Sequence, residues 1–403
     1  MSGDVYRKAL MTKELVYVAK NKLIGIDNML PVLMEIKSLY PGIGITIVLS
    51  DAKHLKVVTE NYNIFEAIRQ LRPTLWVARS GNRLVTLIKT IFFILRFSFR
   101  KKIIVKDEDM LPAHNITMAI FRILAKTKEI KTYLITKSFD GHKSAYVENL
   151  LTYKNNRIIA WQRLFGGRYD RYLSVLSADE FKEALNIDAP RDKIVKVGYV
   201  RGLAQWRDFA DRAASRNQVV NGGPYFLYVL AYLGRRRSDS GEPELIELME
   251  ESLTVLKRFN GRIRTVFKPH AVTDLKRVKE LIGKVGYANY VIDYGHPMVL
   301  SSKARFIFGN IFSDTMYDAY YLGVPVVEYC HYDEELFGSI GKKSHGGACC
   351  DFFIWHDKKR LEEVIEGLTS GGIKVRRDGD FIRANFQDTT QEFYEFWRGL
   401  ITR

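Results

Sequence analysis

Short apolar runs alternate with longer amphipathic stretches along most of this chain. Leu15–Ala19, Gly44–Ser50 and Thr74–Ala78 read as strands, followed by strands Lys102–Lys106 and Thr132–Ile135. Between them, helix-period patterns predict helices at about Asp27–Leu39, Ile64–Leu71 and Ala113–Ala125, with Pro41-Gly42 as a turn. Ile158–Trp161 and Arg171–Ser177 read as further strands, then a helix Asp179–Leu185 and strand Ile194–Val197. Gly202–Gly223 is polar, lacks a strand signal and ends in Asn221-Gly222-Gly223-Pro224, so it reads as a linker. The alternation then restarts with strand Tyr225–Ala231, helix Glu244–Phe259, strand Arg264–Lys268 and helix Asp274–Val285. Strands Tyr290–Ile292 and Phe306–Phe308, helix Asp314–Leu322 and strand Val324–Tyr329 follow. A last helix, Thr389–Leu400, carries Phe393, Phe396 and Trp397.

Regular alternation of strand and helix argues for parallel sheets in an α/β fold. A chain of 403 residues exceeds one ordinary core and suits two domains. Two successive Rossmann-like halves make a GT-B arrangement, two domains facing each other across a cleft. The expected division is an acceptor-binding domain at 1–215, a donor-binding domain at 216–385, and a helix at 386–403 returning toward the first domain. In open α/β sheets ligands bind beyond the carboxyl ends of the strands. The residues just after each strand are therefore the candidates for chemistry.

Phe267-Lys268-Pro269-His270 follows a strand directly, so His270 can meet a phosphate or protonate a leaving group, with Lys268 as a second cation. Gly309-Asn310-Ile311-Phe312-Ser313-Asp314-Thr315 joins a strand to a helix. Ser313 or Asp314 would cap that helix, leaving N–H groups and the positive dipole end for a phosphate. Asp314 itself would repel a phosphate, so backbone or a sugar hydroxyl suits it better. Glu328, on the next strand, could hold a ribose or be a plain carboxylate. Ser301 and Ser302 fit a cap as well as a ligand contact. In the first half, Ser138-Phe139-Asp140-Gly141 follows strand Thr132–Ile135, and a carboxylate there can take a proton from an attacking hydroxyl. Asp27, Asp51, Asp107 and Asp109 are candidates by position alone.

Composition narrows the partners. Lys plus Arg total 62 against 46 for Asp plus Glu, giving a net charge of +16. Hydrophobic residues at 47% exclude wholesale disorder. Three cysteines, two of them adjacent, support neither a disulfide framework nor a four-thiolate zinc site, and a reducing compartment is the simple reading. No signal peptide is expected, because the first apolar run is short and lacks a cleavage-type flank. The excess charge concentrates in Arg79–Lys106, where eight basic residues and no acid are mixed with Leu84, Ile88, Phe92 and other large apolar residues. That segment is too often charged to span a bilayer, and reads either as an interfacial helix on an anionic membrane or as a core helix with basic ends. No zinc finger or RNP-type signature supports a nucleic-acid partner.

Asp140-Gly141 with Tyr146, then Lys268-Pro269-His270, then Ser313-Asp314-Thr315 resemble, in that order, the motifs of bacterial sialyltransferases of GT-B fold. The nucleotide half also resembles Kdo transferases and CDP-glycerol-type polymer transferases. The resemblance implies an inverting, metal-independent glycosyltransferase. It would move a nonulosonic acid or Kdo-type sugar from a CMP-activated donor to a bacterial surface glycan or lipid-linked glycan, with no cofactor. It implies Asp140 as general base, and His270 and Ser313 with Thr315 or Asp314 at the donor phosphate. Phe139 stands where the family has a first acid, Ala271 where it has proline, and Asp314 where a second hydroxyl residue is usual. The alternatives are an NDP-sugar or CDP-polyol transferase on the same fold, and a non-enzymatic glycan-binding protein at a membrane. The expected setting is cytoplasmic, peripheral on the inner face of the membrane.

Overall fold

The computed structural model describes residues 13–19, 23–78, 81–98, 102–107, 131–136, 171–175, 177–185, 191–230, 242–270, 273–332, 334–339, 341–344, 346–377, 379, 382, 386 and 391–402. The chain divides into two units. Unit 1 comprises Met1–Glu60, Ile64–Arg207 and Arg383–Arg403; unit 2 comprises Asn61–Asn63 and Asp208–Ile382.

Among the described residues, unit 1 is built on seven parallel strands: β1 (Glu14–Val18), β2 (Gly44–Leu49), β3 (Thr74–Val77), β4 (Lys102–Asp107), β5 (Lys131–Thr136), β6 (Arg171–Ser174) and β7 (Ile194–Lys196). Their order is β3-β2-β1-β4-β5-β6-β7. Between them run helices α1 (Leu23–Leu39), α2 (Ala52–Glu60), α3 (Tyr62–Leu71), α4 (Arg83–Ser98) and α5 (Ala178–Leu185). Strand β1 is buried along its whole length, as a strand covered on both faces must be. On α1, Asp27 is buried and pairs with Arg201 at 2.6 Å, while Asn28 accepts from the same guanidinium at 3.0 Å. Asp51 accepts from the backbone N–H of His54 at 2.9 Å at the start of α2. These contacts give both early acids a structural task.

The stretch 202–223 contains the division between the units, at Arg207 and Asp208, but it is helical. It folds as helix α6 (Ala204–Arg216) and a helical turn, Gln218–Asn221, capped by Asn217. Trp206, Phe209, Ala210 and Ala213 are buried at i, i+3, i+4 and i+7. Arg and Asp between them mask this helical stripe in a polarity average.

Unit 2 carries six parallel strands: β8 (Tyr225–Val229), β9 (Arg264–Lys268), β10 (Tyr290–Ile292), β11 (Ile307–Gly309), β12 (Val326–Cys330) and β13 (Phe352–Trp355). They lie in the order β10-β9-β8-β11-β12-β13. The helices are α7 (Glu242–Lys257), α8 (Leu275–Val285), α9 (Pro297–Ser301), α10 (Asp314–Tyr321), α11 (Glu334–Ser339) and α12 (Lys358–Ser370). Local chemistry sets their ends. Asp274 caps α8 by accepting from the N–H groups of Lys276 and Arg277, and Gly286 closes it at φ +66°. Leu248, Leu253 and Leu256 of α7, Val278 and Ile282 of α8, and Leu361 and Ile365 of α12 cover an aromatic layer. In that layer Phe226 stacks on Phe306 at 4.6 Å, and Tyr228 meets Phe308 edge-on at 4.8 Å.

The last helix, α13 (Gln391–Thr402), belongs to unit 1 and buries Phe393, Trp397 and Ile401, one residue per turn. Lys13 Nζ donates to the Ile401 carbonyl at 2.6 Å, satisfying an acceptor at the helix end.

Arg377 fastens the chain beyond α12. Its Nε and Nη2 donate to the two Asp351 oxygens at 3.0 and 2.6 Å, and Nη2 also reaches the Val324 carbonyl at 2.6 Å. The guanidinium carbon lies 3.9 Å from the Tyr320 ring centre, and both charged side chains are buried. Asp351 in turn accepts from the Val326 N–H at 2.8 Å at the start of β12. Arg377→Ala strands a buried carboxylate, and a loss of about 3–5 kcal/mol is expected in the urea unfolding of unit 2. The double change Arg377→Met with Asp351→Leu removes the stranded charge but leaves the Val326 N–H and the Val324 carbonyl without these partners, so partial recovery is expected in the same titration.

Candidate functional site

In unit 2 the strand order reverses between β8 and β11, where successive crossovers leave in opposite directions. At such a point the loops beyond the carboxyl ends part and leave a crevice. The register pairs Gly309 with Val229 of β8 and with Glu328 of β12. The segment Gly309–Thr315 therefore leaves the sheet at this point and enters α10. Gly309 allows the close approach of α10: a Cβ there would sit 2.6 Å from Met316 Cε.

A buried polar network holds the segment. Asn310 Nδ2 donates to Ser252 Oγ at 2.8 Å and to the Tyr329 carbonyl at 3.0 Å, while the Tyr228 hydroxyl donates to its Oδ1. Glu328 is 0% exposed. Its Oε1 accepts from the Phe312 N–H at 3.0 Å and from the Tyr332 hydroxyl, and its Oε2 accepts from the Ser344 hydroxyl. Burial pushes the Glu328 carboxyl above its usual range, and its three donors pull the other way. Burial and the nearby Glu328 charge both raise the Cys350 thiol, so it is a poor nucleophile as it stands. Phe312 lies over Gly346, where a Cβ would come within 2.4 Å of three ring carbons. Ser313 caps α10, its Oγ accepting from the Thr315 N–H at 3.4 Å. Ser313, Asp314 and Thr315 are half-exposed. A capped N-terminus carries positive potential, suited to an anion.

Lys268 ends β9, the neighbour of β8, and is buried, with Nζ 3.1 Å from the Pro269 carbonyl. His270 follows at the exposed edge, its carbonyl accepting from the Thr273 N–H at 3.0 Å. Lys268, His270, Gly309, Asn310, Ser313, Asp314 and Thr315 thus belong to one edge of one sheet. Glu328 lies beneath the loop, and a direct hold on a ribose would require a protein donor to be displaced. Ser302 donates to the Val299 carbonyl at 2.8 Å and closes α9. Asp140, with Gly141 and Tyr146, lies outside the described residues, as does Asp109. Among the described residues no group of three or more His, Cys, Asp or Glu side chains is placed to hold a metal ion.

Several groups at this edge escaped sequence reasoning. His331 follows β12 and His356 follows β13, their rings stacked 4.0 Å apart. The signal that singled out His270, a histidine at a strand's carboxyl end, was present for His331, which follows an expected strand, whereas for His356 it depends on β13, which the sequence pattern does not announce. His331 Nε2 lies 3.4 Å from Glu251 Oε1, and Lys358 Nζ lies 2.8 Å from Glu251 Oε2. Burial, and then the neighbouring His356, hold His331 below its usual pKa. Hydrogen bonds from Lys358 and Tyr329 outweigh burial and hold Glu251 below the usual carboxylate range.

The comparisons with known proteins bear on this frame. No protein-family model matches the chain, and no curated protein matches it. Solved structures do. A UDP-GlcNAc 2-epimerase from Neisseria meningitidis, bound to UDP-GlcNAc, is 13% identical with a TM-score of 0.55, over 97% of this chain and all of that one. The UDP-GlcNAc 2-epimerase of Methanocaldococcus jannaschii is 14% identical with a TM-score of 0.56, over 96% and 99%. A ugt transferase from Siraitia grosvenorii, in complex with UDP, is 11% identical with a TM-score of 0.52, over 96% and 99%. The chain has the GT-B fold. In GT-B terms, the two sheets described above are its two Rossmann-like domains.

Glu328→Ala leaves three buried donors without an acceptor, at about 1–3 kcal/mol each. Marked destabilisation in urea is expected, with loss of hydrogen-exchange protection at the Phe312 amide; Glu328→Gln, which keeps one acceptor oxygen, is expected to lose less. A second expectation concerns pH. A histidine whose pKa falls on folding binds its proton more readily when unfolded, so stability is full above about 6.5 and declines as pH falls through that value. Glu251, depressed on folding, adds a further decline below about 4.3. Thermal melts from pH 8 to pH 4 check this, and His331→Asn is expected to flatten the upper part of the curve.

Proposed function

We propose that this protein is an inverting, metal-independent glycosyltransferase that uses a nucleotide-activated sugar. The observation that carries this reading is the capped, half-exposed start of α10 at the reversal of strand order in unit 2. There, the positive end of the helix dipole suits a nucleotide phosphate. Nucleotides bound by proteins of the same fold support it, UDP-GlcNAc in one and UDP in another.

In the proposed reaction Asp140 accepts the proton of an acceptor hydroxyl, whose oxygen attacks the anomeric carbon. The bond from that carbon to the donor phosphate oxygen breaks, and its electron pair leaves with the nucleotide. Lys268, His270 and the Ser313–Thr315 helix start stabilise the departing phosphate, and His270 can supply a proton. These protein donors take the part that a divalent cation plays elsewhere. Asn310 and Glu328 hold the loop in shape; Asp314 suits a sugar hydroxyl.

For the donor we favour a CMP-activated nonulosonic or Kdo-type sugar, because the Asp140-Gly141, Lys268-Pro269-His270 and Ser313-Asp314-Thr315 motifs occur in the order of that class. The acceptor would be a bacterial surface glycan. A UDP-linked donor is the second reading, favoured by the ligands of the fold neighbours. Incubation with CMP-, CDP- and UDP-activated sugars, reading nucleotide release, separates them. Release of CMP is expected, with kcat lowered by roughly 10²–10⁴-fold in Asp140→Ala and in His270→Ala. Release of UDP alone would establish the second reading. Unchanged turnover in both variants would refute the assignment of roles.

A further inference from the structure

We infer that α4 docks unit 1 onto an anionic lipid bilayer. This goes beyond the proposed transfer reaction and does not depend on it. Of the two readings open for Arg79–Lys106, the structure disfavours the core helix. Leu84, Val85, Leu87, Ile88, Ile91, Phe92 and Leu95 are all exposed, Leu84 at 63% and Phe92 at 65%. At 3.6 residues per turn these seven positions fill an arc of roughly 160° around the helix. Leu84, Ile88, Ile91 and Leu95 form its spine. Among the described residues, seven of the ten exposed large apolar side chains lie on this one helix. A soluble surface rarely leaves so many in one place without a partner.

The charge pattern selects the partner. The sequence from Arg79 to Lys101, which forms and flanks α4, holds six basic residues and no acid, while Lys102 and Lys106 belong to β4. Lys89, on α4 itself, is half-buried at the edge of the apolar arc. A second copy of this helix would cover the apolar arc but would bring two acid-free basic segments together. A nucleic acid would satisfy the cations and leave the apolar arc in water. An anionic bilayer satisfies both: the apolar arc enters the boundary of headgroup and acyl chain while the cations meet the headgroups. The helix has 16 residues, and no helix among the described residues is long and apolar enough to cross a membrane. The mode of attachment is therefore in the plane of the interface.

The test is co-sedimentation of the full chain with vesicles of phosphatidylcholine alone and of phosphatidylcholine mixed with phosphatidylglycerol. Binding is expected on the mixed vesicles, weaker on the neutral ones and weakened by salt. The double change Ile88→Asp with Phe92→Asp is expected to reduce vesicle affinity at least tenfold, roughly, by placing carboxylates in the apolar arc. Both positions are exposed, so the circular dichroism spectrum and melting midpoint are expected to stay put. Lys89→Gln is expected to weaken binding to the mixed vesicles and leave the neutral ones unaffected. The inference is overturned by absence of vesicle binding, by undiminished binding of the double variant, or by self-association in solution that the double variant abolishes. Salt-sensitive binding to an oligonucleotide, retained by the double variant and unaccompanied by vesicle binding, overturns it in favour of a nucleic acid.

Discussion

Parallel pairing of buried strands dictates where this chain can place its chemistry. A parallel neighbour cannot be reached by a tight turn, so each strand is followed by a crossover that covers a face of the sheet. Strands β8 and β12 are consequently buried from end to end, and β8 is apolar throughout. With both faces closed, polar side chains able to meet a ligand are displaced to the carboxyl edge. Lys268, His270, Asn310, Ser313, His331 and His356 all fall at or just beyond strand ends of unit 2. The order β10-β9-β8-β11-β12-β13 then makes the start of α10 the most favourable seat at that edge.

The edge is held by buried polar groups. Glu328 and Asn310 occupy positions where an apolar residue would pack at less cost in desolvation. Between them they take or give hydrogen bonds on β8, α7, the β11–α10 loop, β12 and the segment around Ser344. The partners lie on several elements, with Tyr332 just beyond β12, so the network closes only when those elements are in place. Such groups specify one arrangement of a loop rather than merely adding stability. Arg377 does similar work away from the edge, joining the chain beyond α12 to the Tyr320 carbonyl of α10, to the Val324 carbonyl before β12 and to Asp351 before β13.

Much of this frame was legible in the sequence. Tyr225–Ala231 was expected as a strand, and β8 is Tyr225–Val229; the cap was expected at Ser313 or Asp314 where a strand joins a helix, and Ser313 holds it. Apolar runs bounded by glycine and proline carry that signal locally. What escaped was non-local or diluted. The helix over Ala204–Arg216 was hidden because Arg and Asp separate its buried residues. Strand β13 and helix α12 went unread, since Phe352–Trp355 is short and its flanks are polar. The three donors around Glu328 come from Phe312, Tyr332 and Ser344, which no spacing rule connects. For α4 the sequence left two readings open, because hydrophobicity alone does not say whether a face is covered. Asp140 lies outside the described residues, so its role rests on the motif.

The central claim is that a nucleotide is held at the carboxyl edge of unit 2, at Gly309–Thr315 and Lys268–His270. Amide hydrogen exchange with and without CMP or UDP addresses it residue by residue. The account predicts slowed exchange concentrated at Phe312–Thr315 and around His270, with the distant α7 and α8 unchanged. Slowed exchange confined to other elements, or no change at a nucleotide concentration that supports turnover, would contradict it.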